Sequence, residues 1–142
     1  MRVLGLDPGR RRIGVALSDQ LGLTAQPVTT VERGSNSETL DRIRVALGGA
    51  AVDLVVVGLP LRLDGTEGGS ARQARRFAEL VGQALEVPVE MWDERMTTVQ
   101  AERVLKEAGL RRERRAGLRD RVAAAIMLQS FLDAKGACPD GD

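Results

Sequence analysis

Three acidic residues sit where carboxylates could do chemistry. Asp7 ends an apolar run in Leu6-Asp7-Pro8-Gly9-Arg10-Arg11-Arg12-Ile13-Gly14. Glu94 follows another in Asp93-Glu94-Arg95, and Asp120 lies behind a basic stretch and ahead of Ala123 and Ala124. A carboxyl heading for an interior is costly unless something pairs with it. Three arginines in a row on a turn are poor partners for Asp7. The chain has no histidine, and its one cysteine, Cys138, lies in a Gly/Pro/Asp tail. Imidazole shuttles, Ser-His and Cys-His nucleophiles, disulfides and structural zinc are thereby excluded. Neither lysine, Lys106 or Lys135, follows a glycine-rich nucleotide loop. Any enzymatic chemistry must rest on carboxylates, hydroxyls, backbone amides, arginine and a hard metal ion.

Acids crowded at one rim repel one another, which raises their pKa values unless divalent cations are bound. Oxygen-only donors favour magnesium or manganese. Two such ions about 3.5–4 Å apart are a standard device for in-line displacement at phosphorus. Taken singly, each acid has a plainer reading. Asp7 could accept turn amides, Glu94 could pair with Arg95 at the surface, and Asp120 could cap a helix. It is their joint placement at strand and helix ends that points to metal.

The elements that must position them follow from pattern. Val3 to Leu6 and Ile13 to Ser18 form a hairpin across the Pro-Gly turn, with a third strand near Pro27 to Val31. A helix follows the Gly34-Ser35-Asn36-Ser37 turn and stops at Gly48-Gly49. Leu54 to Val57 is a continuous apolar run, as in a strand covered on both faces. Beyond the turn-rich loop from Leu61 to Gly69, Ser70 is placed as the cap of a helix. Its apolar stripe is Ala71, Ala74, Phe77, Ala78, Val81, Ala84 and Leu85. Phe77 on that stripe belongs to the core rather than to a base-stacking platform. Val87, Val89 and Met91 alternate after Pro88 as an edge strand. Thr97-x-x-Gln100 opens a helix that Gly109 closes, a basic loop follows, and the last helix runs from about Asp120 to Asp133. The order describes a mixed α/β sheet covered by helices, with ligands expected at the carboxyl ends of its strands.

Length and charge set the remaining bounds. A chain of 142 residues fits one domain and buries roughly two thirds of its unfolded surface. No apolar run approaches the ~20 residues of a membrane span and no secretory pattern opens the chain, so a cytoplasmic location is expected. Formal net charge is only +1, yet two lysines among 21 basic residues leave 19 arginines. Six of them fall between Arg111 and Arg121, against Glu113 and Asp120.

LGLDPGRRRIGVALSD, VVGLPLRLDGTEGGSARQARRFA, VEMWDERMTTVQAE and RDRVAAAIMLQSFLD resemble, in that order, the signature blocks of the YqgF/RuvX family. These are bacterial pre-16S rRNA nucleases, also described as Holliday-junction-resolvase-like proteins. The resemblance runs from Met1 to about Ala134, leaving residues 135–142 as an expected disordered tail on a single domain, 1–134. It implies an RNase H-like fold: a five-stranded mixed sheet, second strand antiparallel, with helices on both faces. The family's catalytic and metal-holding acids fall on Asp7, Glu94 and Asp120, with Mg²⁺ or Mn²⁺ as cofactor. The implied activity is cleavage of phosphodiester bonds in structured nucleic acid, in maturation of the 5′ end of 16S rRNA. A resolvase acting on branched DNA and a nucleic-acid-binding maturation factor with a vestigial site are the alternatives. Arg10 stands where the family usually has threonine, and Ala116, Gly117 and Arg119 replace its lysines and apolar residue.

With Asp7 directed at metal, the arginines acquire a use. Arg11, Arg12, Arg62 and Arg95, with Arg111, Arg112, Arg114 and Arg115, are candidates for substrate phosphates, contacts that position a strand without reading its sequence. Aromatic residues are scarce and tyrosine is absent, so base stacking is a poor means of recognition here. The partner is then a nucleic acid read by shape, whether pre-16S rRNA, a ribosomal precursor or branched DNA. The chain itself is a monomer or a homodimer, because symmetric cleavage of a four-way junction needs a twofold pair of sites.

Overall fold

Strand pairing sets the frame in the computed structural model, which describes residues 1–95 and 112–136, the side chains of 112–119 and 136 excepted. Val3–Pro8 (β1) and Arg12–Ser18 (β2) form the expected hairpin, extended so that Asp7 pairs with Gly14. Ala25–Glu32 (β3) pairs antiparallel to β2 at one edge. Leu54–Leu59 (β4) and Val89–Asp93 (β5) continue the sheet parallel to β1. The order is β3-β2-β1-β4-β5, five strands of which β2 alone runs against the other four, and β5 takes the edge its proline suggested.

Helices Asn36–Leu47 (α1) and Gly69–Leu85 (α2) cover one face, and Arg112–Gly136 (α3) covers the other. The period of two along each strand divides the core accordingly. Leu4 and Leu6 pack with Ile43, Phe77 and Val81, while Val3 and Val56 pack with Met127, Leu128 and Phe131. All six β4 residues are buried, because helices press on both sides. Phe77 lies in the core, 6% exposed. Ser35 caps α1 in a reciprocal capping box with Glu38, and Gly48 ends it in the left-handed region at φ 57°.

Two expected boundaries move. Gly68, not Ser70, is the N-cap of α2. The exposed Arg62 guanidinium lies across it, with Nε 2.9 Å from where a side chain would begin, so a larger residue would displace that side chain. The last helix begins at Arg112, eight residues before Asp120, and runs on through Lys135 to Gly136. Arginine is a good helix former, and one interior glycine, Gly117, costs only about 1 kcal/mol. The expected basic loop is therefore largely helix, and Asp120 is an internal helical residue rather than a cap. The helix expected between Thr97 and Gly109 and the tail 137–142 lie outside the described residues.

α3 approaches β2 closely. A Cβ on Gly14 would collide with the backbone carbonyl of Asp120, and one on Gly5 would meet Leu128 Cβ at 3.0 Å. Gly14→Ala should therefore lower the unfolding free energy by about 1–3 kcal/mol, the usual range for overpacking. An unchanged urea midpoint would mean that α3 does not lie against β2 at this point.

Candidate active site

Asp7 is the natural starting point because of the face it occupies. Val3 and Gly5 on β1 face α3, so Asp7, two residues on, faces α3 as well. Its cross-strand partner is Gly14 on β2, and on the other side Leu6 pairs with Val57, which places Gly58 of β4 beside it. Both flanking positions lack a side chain. The gap at Gly14 admits the α3 backbone at Asp120. The gap at Gly58 admits the Glu94 carboxyl, whose Oε2 would be struck by any Cβ there, with Met127 Sδ only 2.9 Å away. Glu94 stands one residue beyond β5 and is tied to β4 by its amide, which donates to the Leu59 carbonyl at 3.2 Å. Sequence reasoning missed Gly14 and Gly58, although a glycine inside a strand pattern is the usual sign of close approach.

The Asp7 and Glu94 carboxyls are hydrogen-bonded to each other. Burial raises the Asp7 pKa above its ordinary value, the Glu94 hydrogen bond draws it partly back, and the charge of Asp120 raises it again. Glu94 is pushed up to about 10, first by burial and then by the Asp7 hydrogen bond and the charges of Asp7 and Asp93. Two carboxyls in such contact cannot both ionise cheaply, so the pair holds a proton. Glu94 Oε2 is buried with no hydrogen-bond partner. Such an orphaned oxygen is costly unless a cation or a donor meets it.

Asp120 comes near enough for its charge to act on Asp7, but its Oδ2 accepts from Arg12 Nε at 3.0 Å. Among the described residues no three acidic groups already form an array shaped for a metal ion. Asp120 is held by Arg12, while Asp7 and Glu94 meet each other. Their donor set is nonetheless wholly carboxylate oxygen around an unsatisfied buried acceptor, which fits a hard divalent cation.

The arginines singled out from sequence take separate places. Arg11 and Arg62 are exposed. Arg95 does not pair with Glu94; it holds Asp93, whose Oδ2 accepts from Arg95 Nε at 2.8 Å, and keeps that carboxyl below its usual range. Arg112, Arg114 and Arg115 lie on the first turns of α3, and Arg111 is outside the described residues.

A family model described as RuvX, Holliday junction resolvase, matches residues 1–134. A Myxococcus xanthus protein provisionally named a pre-16S rRNA nuclease is 49% identical over 142 residues, covering 100% of this chain and 93% of the relative. A Clostridium novyi protein of the same name is 47% identical over 134 residues, covering 94% and 99%. Among solved structures, Thermus thermophilus RuvC in complex with a Holliday junction substrate superposes with a TM-score of 0.60 at 20% identity over 97% of both chains. At that identity the likeness shows the fold, which is that of the RNase H-like resolvases.

The carboxyl pair makes a pH dependence that can be measured without substrate. Acids held below their ordinary values, among them Asp19, Glu38, Asp64, Glu67 and Asp93, lend stability that is complete once the unfolded chain has ionised. Glu94 acts in the opposite sense. Above its ordinary value of 4.5 the unfolded chain has lost the proton that the folded state keeps until about 10. In EDTA, stability should therefore decline from roughly pH 6 to 9, by at most about 1.4 kcal/mol per pH unit. Glu94→Gln should flatten that decline. Urea melts across the range check it, and equal slopes for the two proteins would contradict the shared proton.

Proposed function

The chain belongs to the RuvX family, and from that premise we propose that it is a divalent-metal-dependent endonuclease acting on the 5′ end of precursor 16S rRNA. The observation that carries the reading is the half-buried Asp7–Glu94 pair, with Glu94 Oε2 buried and unsatisfied against Gly58 and the charge of Asp120 acting on Asp7. Asp7, Glu94 and Asp120 are the catalytic acids and would hold Mg²⁺ or Mn²⁺. When bound, the metal supplies the positive charge that favours ionised acids and polarises water and phosphate oxygens.

The chain's own residues do the rest. Asp7 and Glu94 would have to give up their shared proton to hold the metal as carboxylates. Arg12, anchored on Asp120 by Nε, keeps its other N–H donors for a phosphate. Arg11, Arg62 and Arg95, with Arg112, Arg114 and Arg115 of α3 and with Arg111, are the groups assigned to gripping the backbone without reading bases. The scarcity of aromatic side chains supports this mode of recognition. Residues 1–134 act as one nuclease domain, and the role places it in the cytoplasm. No helix among the described residues is long and apolar enough to cross a membrane.

Asp7→Asn should reduce Mn²⁺-supported cleavage of a precursor carrying the 5′ leader by at least about 10²-fold, the scale for losing a group that bears transition-state charge. Gly58→Ala, which displaces the end of the Glu94 side chain, should lose cleavage with less effect on the urea midpoint than Gly14→Ala. A synthetic four-way junction run beside the precursor separates the two substrates. Undiminished cleavage by Asp7→Asn would falsify the assignment, and cutting of the junction alone would transfer it to branched DNA.

A further inference from the structure

The face of the sheet away from Asp120 carries a basic concavity that the acids do not explain. The Gly9-Arg10 turn, the start of α1 and the α2 residues Gln73, Arg76, Phe77 and Leu80 enclose a cleft of about 540 Å³. Arg10, Arg33 and Arg76 line it, with the amides of Asn36 and Gln73 between them, and none of its lining residues is acidic. Among the described residues no carboxylate pairs with any of the three arginines. On a chain of net charge +1, that is a local excess of three cations with nothing opposite.

One of the three is fixed in place. Arg33 Nε donates to the Gly9 carbonyl at 2.7 Å, its backbone amide donates to Arg11 at 2.8 Å, and its guanidinium lies 5.2 Å from the centre of the Phe77 ring. Arg33 thus braces the turn and forms part of the cleft wall, with burial drawing its pKa below the ordinary value. Arg10 and Arg76 are exposed on either side of it. A smaller recess of about 40 Å³, lined by Pro8, Gly9, Arg10 and Ser70 among others, adjoins the turn. Pro8, the residue after Asp7, lines that recess, which shares Gly9, Arg10, Arg33 and Gln73 with the cleft.

The geometry points to a phosphate-binding cleft for the sugar-phosphate backbone of the substrate strand, held by Arg10, Arg33 and Arg76 after the strand has crossed the rim. This inference rests on the nucleic-acid reading of the preceding subsection and extends it to the opposite face of the sheet. Guanidinium groups with spare donors suit phosphate oxygens in pairs. The one aromatic side chain in the wall is buried and its face is taken by Arg33. A base has nothing to stack on, which favours a strand's backbone over a free nucleotide. The cleft volume lies within the range that holds a nucleotide-sized group.

The test uses Arg10→Ala/Arg76→Ala in the full chain, leaving Arg33 to brace the turn. Binding of a labelled single-stranded RNA is followed by anisotropy in EDTA between about 50 and 200 mM salt. Losing two phosphate contacts should lower the slope of log K against log salt by about 1.4, at ~0.7 per contact for a single strand. The weakening should be similar for unrelated sequences, and the urea midpoint should not move. Arg44→Ala/Lys135→Ala, an equal loss of charge elsewhere on the molecule, should leave the slope near wild type. Equal slopes for the two double variants would overturn the proposal. So would calorimetry in which AMP or pyrophosphate binds wild type but not Arg10→Ala/Arg76→Ala while RNA binding is unaltered, which would assign the cleft to a free nucleotide. A protein that binds RNA through the cleft yet never cleaves with Mn²⁺ would defeat the nuclease reading alone. One that cleaves with an unaltered slope in the variant would defeat the cleft alone, and one that binds no nucleic acid would defeat both.

Discussion

A carboxyl on the α3 face of the middle strand constrains everything around it. Asp7 is flanked across the sheet by Gly14 and beside it by Gly58, and both neighbours give up a side chain to make room. Through one gap comes the backbone of α3 at Asp120, and through the other comes the carboxyl of Glu94. The result is a pair of neighbouring acids whose burial and mutual contact push the Glu94 pKa up, with Glu94 Oε2 buried and unsatisfied. Nothing in a scaffold designed for stability alone would place them so, since apolar residues of the same volume are cheaper to bury. The arrangement makes sense where positive charge is to arrive from outside.

The small residues on α3 serve the same end. Ala123 and Ala124 are buried, and Leu128 and Met127 fill the space that follows, so the helix axis lies close to β1 and β2 at its acidic turn. Further along, Phe131 meets Trp92 edge-on at 5.5 Å, which ties the helix to β5, the strand that delivers Glu94. Core packing and acid placement are thus one problem with one solution. A shift of α3 would carry Asp120 away from Asp7 and loosen the apolar cluster on that face together.

Arginine is put to two uses that composition could not distinguish. Arg12 and Arg95 are spent in part on acids, Asp120 and Asp93, and so help to hold the rim in shape. Arg10 and Arg76 have no carboxylate partner among the described residues and stand open beside a braced Arg33. The three arginines of the opening turn therefore diverge: one reaches toward α3, one stays exposed, and one turns to α2. Arg12 is the first residue of β2 and shares the α3 face with Gly14 two positions on, whereas Arg10 lies in the turn before the strand, where that alternation does not apply.

Much of the frame was legible in the residues. The hairpin, the doubly covered β4, the stripe of α2 and the edge position of β5 follow from apolar period and from proline and glycine, which act locally. Where α3 begins was not legible, because a run of arginines is equally at home in a loop and in a helix, and only packing chooses. Nor was the N-cap of α2, which falls on Gly68 with no side-chain cap hydrogen bond, two residues before the serine that pattern favoured. The sequence by itself determined which chemistries are possible, since absent histidine and thiolate pairs leave carboxylates and arginines, and it placed Asp7 and Glu94 at strand ends. Only the tertiary structure decided that Asp7 and Glu94 touch, that Arg12 faces Asp120 while Arg95 faces Asp93, and that two glycines make the meeting possible. The meetings of Asp7 with Glu94 and of Arg12 with Asp120 join distant parts of the chain and depend on register and helix depth, which no local pattern encodes.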